Sequence, residues 1–91
     1  MDYWKNMWQI NLKKRAEKTL DKLDSKARER ILDFLYTKVR LDPIAYREPL
    51  HGDKKGLYKY RVGDYRIICE IKNSQLLILV IEIGHHREIY N

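Results

Sequence analysis

Apolar positions along the chain recur first every second residue, then every third or fourth, then every second again. Trp8 and Ile10 alternate with polar neighbours, which predicts a short first strand over 7–11. Asn11 then serves as an N-cap for a helix of about twelve residues, marked by Leu12, Ala16, Leu20 and Leu23 at helical spacing. Asp24 or Ser25 caps a second helix whose apolar stripe is Ala27, Ile31, Phe34, Leu35 and Val39. That helix should end near Leu41, because Pro43 disfavours helical backbone in the residue before it. The short connection between the two makes them an antiparallel helical hairpin. Residues 42–56 read as loop, punctuated by Pro43, Pro49, Gly52 and Gly56. Three strands follow, over 57–62, 65–72 and 76–83, the last two joined by a turn at Asn73-Ser74. The near-unbroken apolar run of the last strand predicts a central position covered on both faces. The order β-α-α-β-β-β defines an α+β fold, a two-helix hairpin packed on an antiparallel β-sheet, with 1–91 as one domain.

The segment between His51 and Arg66 carries the most specific chemistry. Gly63-Asp64 lies between two alternating runs, and glycine there permits the positive φ of a tight hairpin turn. Such a turn pairs Val62 with Tyr65 and sets Arg61 directly opposite Arg66. Like charges facing each other across strands are destabilising unless an anion lies between them. Alternation places Lys59 on the same face as Arg61, apart from Tyr58, Tyr60 and Val62. Three cations on one sheet face predict a phosphate site. Lys54 and Lys55, just before the hairpin, would add long-range attraction to a polyanion.

Charge points the same way. Nineteen Lys and Arg against thirteen Asp and Glu give a net charge of +6, which favours a polyanionic partner over a small neutral ligand. No run approaches the ~20 apolar residues of a membrane span, and the opening residues lack a secretory signal. The lone Cys69 lies in an apolar strand and reads as a packed core thiol, consistent with a reducing cytoplasm. After the last strand comes a cluster of His85, His86, Arg87 and Tyr90, residue types that move protons or neutralise an anionic transition state. The three histidines, His51, His85 and His86, do not form a metal-ligand pattern with cysteines or acids, and no metal or other cofactor is expected.

Taken in order, the helical hairpin, Leu50-His51-Gly52, the run from Tyr58 to Ile68 (YKYRVGDYRII) and the tail Ile83-Gly84-His85-His86-Arg87-Glu88-Ile89-Tyr90 resemble the RelE/ParE toxin superfamily. The resemblance implies a cytoplasmic toxin of a type II toxin–antitoxin pair. RelE-like members are endoribonucleases that cut messenger RNA in the ribosomal A site, and ParE-like members poison DNA gyrase. Carried over residue by residue, the RNA-cutting site would comprise Lys59, Arg61, Arg66 and Tyr90. His86 stands where the family commonly has arginine and Arg87 follows, so either one can face the substrate. Tyr65 and His85 are further candidates for RNA contact.

The resemblance implies a metal-independent reaction. A base, Lys59 or His86, would take the proton of a ribose 2′-OH as it attacks the adjacent phosphate. Arg61, Arg66 and Arg87 would stabilise the added charge, and Tyr90 would orient the base or donate a proton. Partners implied are a cognate antitoxin, messenger RNA and the ribosome, with operator DNA reached only through the antitoxin and no membrane. Two other readings stand beside this one: a ParE-like inhibitor of gyrase without nuclease activity, and a catalytically silent binding module.

Overall fold

The computed structural model of the chain describes residues 8–50 and 56–85. Strand β1 (Gln9–Leu12) leads into helix α1 (Lys14–Lys22) and helix α2 (Ser25–Phe34), which continues as a π-helical turn over Leu35–Val39. A four-residue helix α3 (Pro43–Tyr46) and a two-residue strand β2 (Glu48–Pro49) precede the long strands β3 (Leu57–Val62), β4 (Tyr65–Lys72) and β5 (Leu77–His85). The five strands form one sheet in the order β1-β5-β4-β3-β2. The architecture is α+β, with helices packed on one side of that sheet.

The sheet is mixed, where the strand pattern alone predicted antiparallel pairing throughout. β2, β3, β4 and β5 are antiparallel neighbours, but β1 lies parallel to β5, Gln9 beside Leu77 and Leu12 beside Val80. The helices carry the chain from β1 at one edge to β2 at the other. The ladder then returns strand by strand until β5 reaches β1. The central strand is therefore β4, and β5 lies one place from the edge.

Local chemistry accounts for the helix boundaries. Asn11 remains in β1, and Lys13 takes the N-cap position without a side-chain bond, its N–H donating to the Val80 carbonyl at 2.8 Å. The last β1–β5 contact thus sets where α1 begins. Asp24 caps α2 by accepting from the Ala27 N–H at 2.8 Å. Beyond Phe34 the hydrogen bonding lengthens, the Arg40 N–H reaching the Leu35 carbonyl at 2.9 Å. Ile31, Leu35 and Val39 follow one another at four-residue intervals, a spacing that drifts round a regular α-helix by about 40° per step. The wider π turn offsets the drift, and all three side chains are fully buried.

Residues 42–56 contain more structure than loop. Asp42 caps α3 by accepting from Ala45 N–H at 3.2 Å, with Pro43 in the first turn, where its missing N–H costs nothing. The Tyr60 hydroxyl donates to the Pro43 carbonyl at 2.6 Å, and the Tyr60 ring meets Phe34 edge-on with centroids 6.3 Å apart. Tyr60 is fully buried, so this bond ties the middle of β3 to α3 where water cannot compete.

The core lies between the helices and one sheet face. It comprises Ala16, Leu20, Ile31, Leu35 and Val39 from the helices and Tyr60, Val62, Ile67, Cys69, Ile71, Ile78, Val80 and Ile83 from the strands. A bulge keeps β5 in phase with it. Cys69 pairs with Val80 and Ile68 with Glu82, so Ile81 has no opposite residue on β4. Ile78 and Val80 face the helices before the bulge, and Ile83 faces them after it. Without the extra residue, Glu82 would point into the core instead.

Burial pushes both the Cys69 thiol and the Tyr60 phenol well above their ordinary values of 9.0 and 10.0. The folded protein keeps both protons while the unfolded chain releases them, so stability is full below about pH 9 and falls as pH rises further. Urea denaturation should show stability falling above pH 9 with a slope of up to about 1.4 kcal/mol per pH unit from the thiol, the phenol adding its own share above pH 10. Cys69→Ala should be less stable at neutral pH but lose less above pH 9. Equal slopes for the two proteins would contradict a buried, protonated thiol.

Candidate active site

The hairpin forms with the register its turn requires. Gly63 takes a φ of +57°, and Val62 pairs with Tyr65. A glycine with positive φ at the first central position is the arrangement of a type II′ turn. A Cβ there would also come within 3.1 Å of the Arg30 guanidinium reaching over from α2. The positive φ therefore calls for glycine, and a Cβ there would make the Arg30 side chain give way by a few tenths of an ångström.

Two rows of residues cross the sheet face turned away from the helices. In one, Arg61 of β3 faces Arg66 of β4, which faces Gly84 of β5. In the next, Glu48 of β2 faces Lys59, Lys59 faces Ile68, and Ile68 faces Glu82. Arg61 is exposed, while Arg66 is only 6% exposed despite its charge. Gly84 has no side chain and is itself buried, so the first row is two arginines ending in backbone. The second row brings a carboxylate alongside Lys59 from the sheet edge. An anion seated over the arginines would meet hydrogen-bond donors on one side and Lys59 with Glu48 on the other.

The structure thus assembles Lys59, Arg61 and Arg66 on one face. Tyr65 and His85 are paired with each other on the opposite face, their rings edge-to-face at 5.7 Å, and Tyr65 packs against the core. Alternation from Arg66 puts them there, turned away from the arginines. Lys54, Lys55, His86, Arg87 and Tyr90 lie outside the described residues. Among the described residues, no group of three His, Cys, Asp or Glu side chains could hold a metal, and no helix is long and apolar enough to cross a membrane.

Sequence reasoning missed Glu48, because two residues are too few to show alternation. The available signal was Pro49, which cannot donate to a ladder and is confined to the edges of sheets. Its neighbour Arg47 is held over the Tyr58 ring, 4.2 Å from the centroid, where it anchors the chain as it enters β2.

Residues 10–90 match the family described as the ParE toxin of the type II toxin-antitoxin system, parDE. Toxin RelG of Mycobacterium tuberculosis is 23% identical over 75 residues, covering 82% of this chain and 86% of its own. Toxin RelE of the same organism is 27% identical, covering 82% of this chain and 77% of its own. Among solved structures, the isolated E. coli RelE toxin superposes with a TM-score of 0.72 at 25% identity, over 91% of this chain and 90% of that one. The RelBE2 toxin–antitoxin complex of M. tuberculosis gives 0.81 at 19% identity, over 87% and 98%. With helices packed on a mixed five-stranded sheet and a match over nearly its whole length, the chain belongs to the ParE toxin family of the RelE/ParE superfamily. It is a toxin of a type II toxin–antitoxin system.

The two arginines should separate in behaviour. Arg61→Ala and Arg66→Ala should each weaken binding of a single-stranded RNA by about tenfold and lower the salt slope by about one. Arg61→Ala should leave the melting temperature unchanged or raise it slightly, because an exposed like-charged partner is removed. Arg66→Ala should lower it, since its enclosed stem packs against the sheet. RNA titrations at several salt concentrations and thermal melts check both. Unchanged RNA affinity in both folded variants would remove the arginines from the site.

Proposed function

We propose that this toxin is a metal-independent endoribonuclease that cuts messenger RNA, in the ribosomal A site, and so halts translation. The observation that carries this reading is the row Arg61–Arg66–Gly84 beside the row Glu48–Lys59. A protein that acts only by binding gyrase has no need of two arginines forced together across a hairpin next to a lysine and a carboxylate. The M. tuberculosis and E. coli relatives carrying the name RelE support the RNA-cutting branch over the gyrase branch.

In the proposed reaction a ribose 2′-OH attacks its own 3′-phosphate while a base takes the hydroxyl proton. The P–O5′ bond breaks, and the 5′ oxygen leaves with a proton from an acid. The products are a 2′,3′-cyclic phosphate and a 5′-hydroxyl. Arg61 and Arg66 stabilise the charge that builds on the phosphorane oxygens. Lys59 and Glu48 are the candidates beside the 2′-OH, a carboxylate being the readier proton acceptor and an ammonium the better stabiliser of charge. His86, Arg87 and Tyr90 complete the reading as acid, charge stabiliser and orienting hydroxyl.

The partner in this reading is a cognate antitoxin, as in the solved RelB–RelE complexes. Tyr36, Leu41, Ile44 and Tyr46 are 40–57% exposed, apolar surface that an amphipathic antitoxin segment would cover. The net charge of +6 favours acidic residues in that segment.

Expression without the antitoxin tests the activity. Labelled methionine incorporation should collapse within minutes while thymidine incorporation continues. DNA synthesis stopping first, with translation intact, would transfer the protein to the gyrase branch.

A further inference from the structure

Strand β2 has two residues, and Pro49 has no N–H to give, so ladder bonds alone hold its register weakly. A slip of one residue would turn Glu48 from the face of Lys59 to the side of the helices. The segment is instead fixed to β3 at two points. The Tyr60 hydroxyl donates to the Pro43 carbonyl at the start of α3, at 2.6 Å. Just past the end of α3, Arg47 is already extended, with φ −75° and ψ 148°, and its guanidinium carbon lies 4.2 Å from the centre of the Tyr58 ring. Glu48 pairs with Lys59 and Pro49 with Tyr58, so Arg47 and Tyr58 are diagonal neighbours on the helix side of the sheet. Tyr58, Lys59 and Tyr60 are consecutive. The two rings hold the segment from one side, and the lysine between them meets Glu48 on the other.

Alternation makes this arrangement directional. With Arg47 half-buried against the ring, the next side chain of an extended segment points to the opposite face, where Glu48 is exposed. The stack therefore decides which way the carboxylate faces, while Arg47 itself is turned away from the substrate. We propose that Arg47, stacked on Tyr58, is a positioning residue that holds the Glu48 carboxylate beside Lys59 for proton transfer from the attacking 2′-OH. The proton passes from O2′ to a Glu48 oxygen as the O2′–P bond forms, and the P–O5′ bond breaks as the acid protonates O5′. A misplacement of about 1 Å is enough to cost up to about a hundredfold in rate. This inference rests on the RNA-cleaving reading, with Glu48 as its proton acceptor.

Single-turnover cleavage of messages on programmed ribosomes by the full-length toxin tests it. The saturated rate and the half-saturating concentration are measured separately, and each variant's fold is checked by its melting curve. Glu48→Gln should lower the saturated rate by about a hundredfold, the lower end of what a positioned base contributes. Arg47→Ala should lower it by about tenfold and leave the half-saturating concentration within about twofold. In a Glu48→Gln background the same change should cost less than about twofold, because a residue that acts through the carboxylate then has nothing to place. Tyr58→Leu should behave as Arg47→Ala does. Arg47→Lys and Tyr58→Phe each keep a cation over a ring and should recover most of the rate. If Arg47→Ala melts below the assay temperature, Arg47→Met, of similar length and without charge, takes its place. An unchanged rate, an equal loss in both backgrounds, or a loss confined to the half-saturating concentration overturns the proposal and leaves the RNA-cleaving reading intact. A Glu48→Gln toxin as fast as the unsubstituted one overturns it as well. Absence of cleavage of any message by the unsubstituted toxin overturns the RNA-cleaving reading and the proposal together.

Discussion

Everything on the candidate active face depends on the two-residue turn at Gly63-Asp64. A single positive φ at Gly63 closes the turn and sets Val62 opposite Tyr65. From that pairing, period-two alternation decides every other residue of the hairpin. Tyr58, Tyr60 and Val62 go to the core, and Lys59, Arg61 and Arg66 go to the other side. A slip of one residue on β3 would turn Lys59 and Arg61 into the core and expose the Tyr60 hydroxyl now bonded to Pro43. The like-charged Arg61–Arg66 pair is thus the direct consequence of a register that the core enforces. Core burial outweighs their mutual repulsion, and a bound phosphate would reverse its sign.

Two irregularities finish the site. The bulge at Ile81 changes the phase of β5 midway, so that one strand packs Ile78 and Val80 against the helices yet offers Glu82 and Gly84 to the arginines. At the opposite edge, β2 is only Glu48–Pro49, held through Arg47 stacked on Tyr58. Both are departures from regular sheet geometry beside regular, tightly buried strands. Rigid strands fix the arginines, and irregular segments bring the carboxylates to either end of the neighbouring row. In the proposed nuclease the cations would face the phosphate, and a carboxylate beside Lys59 could accept a proton.

The parts that were legible in the sequence share a cause. The helical stripe Ile31–Leu35–Val39, the Asp24 cap and the Arg61–Arg66 pair each follow from residues within a few positions of one another. The parallel pairing of β1 with β5 joins residues nearly seventy positions apart and leaves no local mark. The π turn was hidden because four-residue spacing looks the same in a slightly curved α-helix. An apolar run such as that from Leu76 to Val80 suits either an edge or a centre, so β5 was placed one strand too far in. The Ile81 bulge was equally silent, because Leu79, Ile81 and Ile83 are all apolar and supply no break in alternation. Tyr65 and His85 fall beside the arginines in sequence and behind them in space, which only the register reveals.

The arginine row and the Glu48–Lys59 row are proposed to form an RNA-cleaving centre. Capture and sequencing of RNA 2′,3′-cyclic phosphate ends shortly after induction tests it most directly. Abundant new cyclic-phosphate ends should appear within translated codons, in frame with the ribosome. The same ends should be missing when Arg61 and Arg66 are both replaced by alanine in a protein that still melts cooperatively. Identical ends from that double variant, or no new ends from the unsubstituted toxin while growth stops, would contradict it.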